Sequence, residues 1–171
     1  MSDMVYLIDS NSLITPSRTY YQFKFAPVFW ERLEQEIIRG KIAILDLVKK
    51  EIGLGNDDLS KWLNGIEIGY YIDRRNEEIM LVYQEVLEHV RTNRCYKEAA
   101  LKEWSNYNIA DPWLIASAKV FGLTIVTFES NNTSLNIENP SRRAQIPDVA
   151  KFFNVNVCNL FKMMDDLKFI L

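Results

Sequence analysis

Short, continuous runs of apolar residues recur along the chain, and their lengths suit β-strands. The runs occupy residues 4–8, 42–45 and 123–128, and a weaker run occupies residues 155–158. Continuous rather than alternating apolarity is typical of strands that are covered on both faces, as in a parallel sheet. The pattern therefore predicts a sheet buried between layers of helices.

Apolar residues at helical spacing lie between these runs. Asp111 and Pro112 predict the start of one helix, with the Asp side chain as its cap, and Gly122 predicts its end. Asp46 similarly predicts the cap of a short helix, and the pattern over 59–110 is helical. Strands that alternate with helices predict an α/β fold with a mainly parallel central sheet and helices on both faces.

Composition narrows the class of protein. The 171 residues, 48% hydrophobic and 25% charged, predict one globular domain over 1–171. Cys95 and Cys158 are far apart and form no CxxC pair, which excludes a disulfide scaffold and a cysteine-built zinc site. No apolar run reaches the roughly 20 residues of a membrane helix, and residues 1–4 lack the basic region of a signal peptide. We therefore expect a cytoplasmic protein with no membrane partner.

Four acidic residues fall where an α/β fold builds its ligand sites. Asp9 and Glu129 follow predicted strands, Asp111 opens a helix, and Glu51 lies on the helix after the second strand. In open parallel sheets, ligands bind outside the carboxyl ends of the strands. Four carboxylates in one crevice repel one another unless cations screen them, and their hard oxygens suit Mg²⁺ or Mn²⁺. The pattern predicts metal-assisted hydrolysis of a phosphate ester.

Polar residues next to the first acid add to this interpretation. Asn11 and Ser12 are placed to orient water on the ions or a phosphate oxygen.

His89 is the single histidine, which excludes mechanisms that need two. Metal-assisted hydrolysis needs no protein nucleophile, in keeping with a chain that offers no Ser–His or Cys–His set.

Four segments, in order along the chain, resemble the motifs of PIN domains. Residues 6–14 (YLIDSNSLI) resemble the first motif, and residues 46–53 match the second, a Glu inside the helix after strand two. Residues 110–118 (ADPWLIASA) resemble the third motif, and residues 122–129 (GLTIVTFE) resemble the fourth, which is usually Thr-x-Asp. The chain is most similar to a branch that resembles VapC-like toxin ribonucleases.

The resemblance implies a PIN-like three-layer sandwich and an Mg²⁺- or Mn²⁺-dependent endoribonuclease that cuts single-stranded RNA. It also implies a homodimer and the toxin of a toxin–antitoxin pair, with a small antitoxin protein as partner. Its catalytic metal ligands would be Asp9, Glu51, Asp111 and Glu129. The chain departs from the PIN pattern in having Glu129 rather than Asp, and in a helical insertion at about 59–110.

The formal net charge of −3 bears on whether the nucleic acid is single-stranded or a duplex. The four proposed ligands carry four negative charges, so the rest of the chain is slightly basic. The phosphates of the substrate would then be attracted only near the site, by the metal ions and by four basic residues. These are Arg18, Lys24, Arg142 and Arg143. Duplex binding relies on many Lys and Arg contacts, so a single strand fits this balance better.

Other interpretations of the same residues remain open. The chain is alternatively a catalytically weak PIN-like module that binds RNA or a protein partner. A receiver-like or phosphatase domain is weakened by Asn11, which stands where such enzymes have a second Asp. Asp111 would then be only a helix cap and Glu51 a solvated residue. Under every interpretation Asp148 is expected to cap a helix and His89 to occupy a surface position on a helix.

Aromatic residues predict packing rather than base stacking. The four tryptophans are expected to be core or interface anchors. An aromatic cluster just after the first motif is expected to pack on the core, and the alternative is that it forms a lid over the crevice. The cluster consists of Tyr20, Tyr21, Phe23 and Phe25.

Overall fold

A five-stranded parallel sheet organises the chain, and the predicted α/β fold is confirmed. The computed structural model describes residues 4–171, so residues 1–3, on which the signal-peptide prediction partly rests, lie outside it. The strands are β1 (Tyr6–Ile8), β2 (Ile42–Leu45), β3 (Tyr71–Ile72), β4 (Thr124–Val126) and β5 (Val157–Cys158). Their order is β3-β2-β1-β4-β5, and each neighbouring pair is parallel.

Within residues 4–171, nine helices flank the sheet, consistent with a three-layer sandwich. They are α1 (Asn11–Arg18), α2 (Pro27–Ile38), α3 (Asp46–Gly53), α4 (Asp58–Gly65), α5 (Glu77–Thr92), α6 (Glu98–Trp104), α7 (Asp111–Phe121), α8 (Ile146–Phe152) and α9 (Leu160–Asp166). No helix in this part of the chain is both long and apolar enough to cross a bilayer.

The order of the strands reverses beside β1. The chain builds outward from β1 through β2 to β3, then returns to the other side of β1 with β4 and β5. Tyr6 accordingly pairs with Ile42 on one side and with Thr124 on the other. A crevice opens at the carboxyl ends of strands where such a reversal occurs. The residues that follow β1 and β4 therefore face the expected ligand site.

The stretch predicted to be helical over 59–110 also contains a strand. β3 pairs with β2 in the register Ile44 to Tyr71 and extends the sheet by one strand. A strand of two residues is too short to give a periodic signal in the sequence. The helices around it pack closely on the fold: α5 lies along α7, where Tyr83 stacks on Trp113 with ring centroids 3.6 Å apart.

Asp46 and Asp111, which are predicted to cap helices, do not do so. The N-cap of α3 is Leu45 and that of α7 is Ala110, and neither helix has a side-chain cap. Asp46 instead forms an ion pair with Arg74, whose Nε lies 3.4 Å from its Oδ2. The predicted end of α7 at Gly122 is correct, since this glycine has a φ of +67°.

The aromatic cluster is only partly in the core. Tyr21 stacks on Phe29 and Phe23 stacks on Trp30, as predicted. Tyr20 is 45% exposed and Phe25 is 71% exposed, so for these two the prediction was wrong.

His89 is more enclosed than the predicted surface position. Its ring is half-buried and stacks on Phe152, with centroids 4.0 Å apart, because α8 packs against α5.

Candidate functional site

Asp9 lies at the carboxyl end of β1 and is only 5% exposed. Its backbone N–H donates to the carbonyl of Val126 over 3.0 Å, and its Oδ2 accepts a hydrogen bond from Thr127 Oγ1, also over 3.0 Å. Burial raises the pKa of Asp9, the bonds from Thr127 and from the Ser10 N–H oppose that rise, and the charge of Glu51 adds to it. The carboxylate is therefore fixed at the junction of β1 and β4.

Thr127 connects two of the predicted acids, a role that the sequence pattern did not assign to it. Its buried hydroxyl donates to Asp9 and accepts the N–H of Glu129 over 3.2 Å. The signal was present in the sequence, because Thr127 is the threonine of the segment that resembles Thr-x-Asp. The side chain orients Asp9 and sets where the chain turns toward Glu129.

Replacing Thr127 with Val keeps the shape of the side chain but removes both hydrogen bonds. If the chain carries out the RNA cleavage that the PIN resemblance implies, we expect its rate to fall by about tenfold, since removing a group that orients a ligand typically costs between about 10- and 100-fold. Steady-state cleavage rates would measure this. Thr127→Ser keeps the hydroxyl and is the matched control. Equal losses in the two variants would show that the hydroxyl does not matter.

Asp111 is the first residue of α7, and side-chain contacts fix the segment that precedes this helix. The guanidinium of Arg74 lies over the Tyr107 ring, 4.0 Å from its centroid, and also donates to the Tyr107 carbonyl over 2.8 Å. The segment just before α7 is thereby tied to the end of β3. Among residues 4–171, no other residue donates a hydrogen bond to the Asp111 carboxylate.

The electrostatics of Asp111 are unusual for a carboxyl group. The residue is partly buried; loss of contact with water raises its pKa to about 7, and the charges of Glu129, Asp9 and Glu103 add to the rise. A carboxylate withdrawn from water without a donor is costly unless a cation compensates it. Asp111 thus interacts with the charges of the other acids and, within residues 4–171, receives no hydrogen bond from another residue.

Glu129 makes a contact that requires the full length of a glutamate side chain. Its Oε2 accepts the backbone N–H of Ile146, the first residue of α8, over 2.7 Å. Burial raises the pKa of Glu129, this hydrogen bond opposes the rise, and Asp9 and Asp148 add to it. One carboxylate oxygen therefore caps α8 while the group still interacts with Asp9.

Shortening this side chain by Glu129→Asp should lower stability. The carboxylate would no longer reach Ile146, and we expect the free energy of unfolding to fall by about 1.5–3 kcal/mol, the usual contribution of a charge-assisted hydrogen bond. Urea denaturation at pH 8 measures the change. Glu138→Asp, in the same loop and exposed, is the matched control. Equal stability of the two variants would contradict this role.

Glu51 reaches toward the crevice from α3. It is exposed, and its Oε2 accepts a hydrogen bond from the Ser10 hydroxyl over 2.5 Å. Its charge is one of the causes of the raised pKa of Asp9. Ser10 is a second residue whose role the sequence pattern did not indicate, and it holds Glu51 beside the end of β1. The charge of Asp9 in turn acts on Asp111 and Glu129, so the four predicted acids are linked electrostatically through Asp9, and we call these four residues the acidic crevice.

Asn11 and Ser12, the two residues predicted to support the acids, differ in whether a ligand can reach them. Asn11 is exposed at the start of α1, where its amide can reach solvent or a ligand. Ser12 is buried and its hydroxyl donates to the carbonyl of Val126 over 3.2 Å. Ser12 thus joins the first turn of α1 to β4, and its hydroxyl is not turned toward water as predicted.

The four basic residues predicted to bind substrate lie in two different parts of the chain. Arg18 and Lys24 line a separate cavity of about 360 Å³ together with Asp57 and Asp58. The other two, Arg142 and Arg143, are exposed in the loop before α8.

A larger cavity of about 800 Å³ includes Thr127 and Glu129 in its wall. Its lining, as far as the chain is described, contains Lys151 but none of those four basic residues.

Two further acids contribute charge to the site. Asp148 accepts the N–H of Asn132 at both oxygens, over 3.0 and 3.2 Å, and does not cap α8, whose N-cap is Gln145. Its predicted role as a cap was therefore wrong. Glu103, exposed on α6, helps to raise the pKa values of Asp111 and Glu129.

The donor set fits a hard divalent cation in its chemistry. Carboxylate oxygens are the ligands that Mg²⁺ and Mn²⁺ prefer, and Asp111 is a partly buried carboxylate that lacks a compensating donor. Across residues 4–171, no three Asp, Glu, His or Cys side chains already stand in a metal-binding group. Binding would therefore require the side chains around the crevice to rotate toward one another.

Comparison with curated proteins gives no match. A family described as a domain of unknown function, DUF4411, matches residues 6–171. The match begins at β1, runs to the C-terminal residue, and includes every acid of the crevice. The chain therefore belongs to the DUF4411 family.

Proposed function

We propose that this protein is a divalent-metal-dependent endoribonuclease, related to PIN domains, that hydrolyses phosphodiester bonds in single-stranded RNA. The observation that carries the proposal is Asp111. Its carboxyl is partly buried, accepts no hydrogen bond from another residue within 4–171, and has a pKa raised by desolvation and by the charges of Glu129 and Asp9. A bound cation would compensate this cost, and phosphate chemistry is what such carboxylate-held cations commonly support.

Asp9, Glu51, Asp111 and Glu129 would hold the Mg²⁺ or Mn²⁺. When bound, such an ion supplies Lewis acidity toward phosphoryl oxygens and lowers the pKa of water. The protein's own contribution is to fix the carboxylates before substrate arrives. Thr127 does so for Asp9, and Ser10 does so for Glu51.

The surroundings of the crevice favour a single strand as substrate. The chain has a formal net charge of −3, and the acids concentrate negative charge at the site. Tight duplex binding needs many phosphate contacts from Lys and Arg. An unpaired strand can instead place one phosphate at the cations while its bases contact the neighbouring cavity.

A catalytically weak module is the second candidate, and one observation favours it. Within residues 4–171 the acids do not yet form a ready metal group. Such a module would keep the fold and bind RNA or a protein without cutting RNA. The two candidates differ in one measurable property, which is turnover in the presence of Mn²⁺.

The PIN resemblance carries further proposals about partners. It suggests a homodimer and a toxin role with a small antitoxin protein. Light scattering on the purified chain would test the dimer. Growth arrest on expression, relieved by a co-expressed neighbouring gene product, would test the toxin role.

Cleavage of a labelled single-stranded RNA tests the enzyme directly. The purified chain is incubated with the RNA in Mn²⁺ or in EDTA, and a fully paired duplex of the same sequence serves as the control substrate. We expect products only with Mn²⁺ and mainly from the single strand. Intact RNA at all Mn²⁺ concentrations would overturn the enzyme proposal, and cutting in EDTA would overturn its metal dependence.

A further inference from the structure

The cavity of about 800 Å³ lies directly beside the acidic crevice. It follows the carboxyl ends of β4 and β5 and extends to the start of α9. Thr127 and Glu129 belong to its wall, so the cavity shares Glu129 with the acidic crevice and Thr127 with the hydrogen bond that orients Asp9. Its volume is within the roughly 300–1,000 Å³ range of small-molecule sites.

Uncharged amide groups dominate the polar part of this cavity. Within the described residues, the side chains of Asn131, Asn154 and Asn156 form no hydrogen bond. Asn159 uses its Oδ1 to cap α9 through the N–H of Lys162, which leaves its amide N–H₂ available. Each amide offers both a carbonyl acceptor and two N–H donors. The cavity therefore presents unpaired donors and acceptors of both kinds.

An exposed aromatic surface forms one side of the cavity. Phe161 lines it and is 49% exposed. The ring of Tyr20, itself 45% exposed, lies 5.8 Å from that of Phe161, centroid to centroid, with a tilt of 32°. Exposed rings of this kind supply π-faces on which bases of single-stranded nucleic acid stack.

We propose that this cavity binds one unpaired nucleotide of the RNA strand, next to the phosphodiester that is cut. The base stacks on Phe161, and the amides of Asn131, Asn154 and Asn156 hydrogen-bond its edge. The inference deepens the proposed function and rests on it, because the acidic crevice defines which phosphodiester is cut. It assigns base preference to residues outside the four acids.

The chemistry of the lining favours a base over other occupants. Side-chain amides pair with base edges, which also carry donors and acceptors side by side. A site for phosphate alone would need several cations, whereas Lys151 is the one cation among the described lining residues. Lys151 suits instead a single phosphate of the same strand.

RNA binding by a cleavage-deficient protein provides the test. The full chain carrying Asp111→Asn is titrated against four labelled single-stranded eight-nucleotide homopolymers, and fluorescence anisotropy gives the Kd of each. We expect Phe161→Ala, added to this protein, to weaken binding by about tenfold, as loss of one stacked base predicts. Asn156→Ala should change the ratio of affinities among the four RNAs by about fivefold or more.

Matched controls separate the cavity from general effects on the surface. Phe25→Ala removes an aromatic ring that is 71% exposed and lies outside the cavity lining, and Asn56→Ala does the same for an exposed amide. Both should leave every Kd within about twofold of the parent. Thermal melts confirm that all variants fold.

The outcomes distinguish this inference from the proposed function. If the wild-type chain cuts RNA but Phe161→Ala and Asn156→Ala change neither affinity nor base preference, the cavity inference is wrong and the nuclease proposal stands. If the two variants act as expected but the wild type never cuts RNA, the nuclease proposal is wrong and the cavity remains an RNA site. Absence of any RNA binding would overturn the cavity inference.

Discussion

Asp9→Asn and Asp111→Asn are each expected to lower Mn²⁺-dependent RNA cleavage by about a thousandfold. Either change replaces a negatively charged oxygen ligand with a neutral amide of the same size. A loss of this size corresponds to about 4 kcal/mol of transition-state stabilisation. Single-turnover cleavage of the labelled RNA, with enzyme in excess, measures the rate without interference from product release.

The control for these variants is an acid outside the crevice. Asp165→Asn removes an exposed carboxylate from α9 and should leave the cleavage rate unchanged. Cleavage at the wild-type rate by both Asp9→Asn and Asp111→Asn would show that the crevice does not carry the activity. A loss in only one variant would restrict the site to that side of the crevice.

In the absence of metal, Asp111→Asn should make the protein more stable at pH 8 but not at pH 4. The pKa of Asp111 is about 7 in the folded protein, against the ordinary aspartate value of 3.8 that applies to the unfolded chain. Between these values the folded state binds more protons, so wild-type stability falls as the pH rises from about 4 to about 7. The neutral amide of the variant does not ionise and so avoids this loss, and we expect a gain of up to about 4 kcal/mol at pH 8, which corresponds to this change in pKa.

Urea denaturation in EDTA at the two pH values measures the gain. Asp165→Asn controls for the removal of one negative charge from the chain. A stability difference that is the same at pH 4 and pH 8 would mean that the ionisation of Asp111 is not its cause. Lower stability of Asp111→Asn at pH 8 would contradict the view that this carboxylate is withdrawn from water without compensation.

The sheet and the main helices were predictable because their signals are local. The strand at 42–45 is apolar throughout, and the structure gives it those same bounds. The end of α7 was predictable because Gly122 adopts a left-handed conformation that other residues rarely adopt. Strand-end positions also predicted where Asp9 and Glu129 would lie, since parallel strands end at one edge of the sheet.

Partners of individual side chains were not predictable, since they depend on contacts between distant parts of the chain. The threonine at 127 bonds to a residue 118 positions away, and the serine at 10 to one 41 positions away. The predictions that Asp46 and Asp111 cap helices were wrong for a similar reason. Asp46 pairs with Arg74 at the end of β3, a strand too short to see in the sequence, and Asp111 interacts with the charges of the other acids instead of capping α7.

Binding of Mn²⁺, measured by isothermal titration calorimetry on the chain without RNA, decides whether the acids around the crevice hold a cation. If they form one cation site, the wild type and Asp165→Asn should bind Mn²⁺ alike. Asp9→Asn and Asp111→Asn should each lose that binding. A wild-type chain that binds no Mn²⁺, or equal binding by all four proteins, would contradict the proposed metal site.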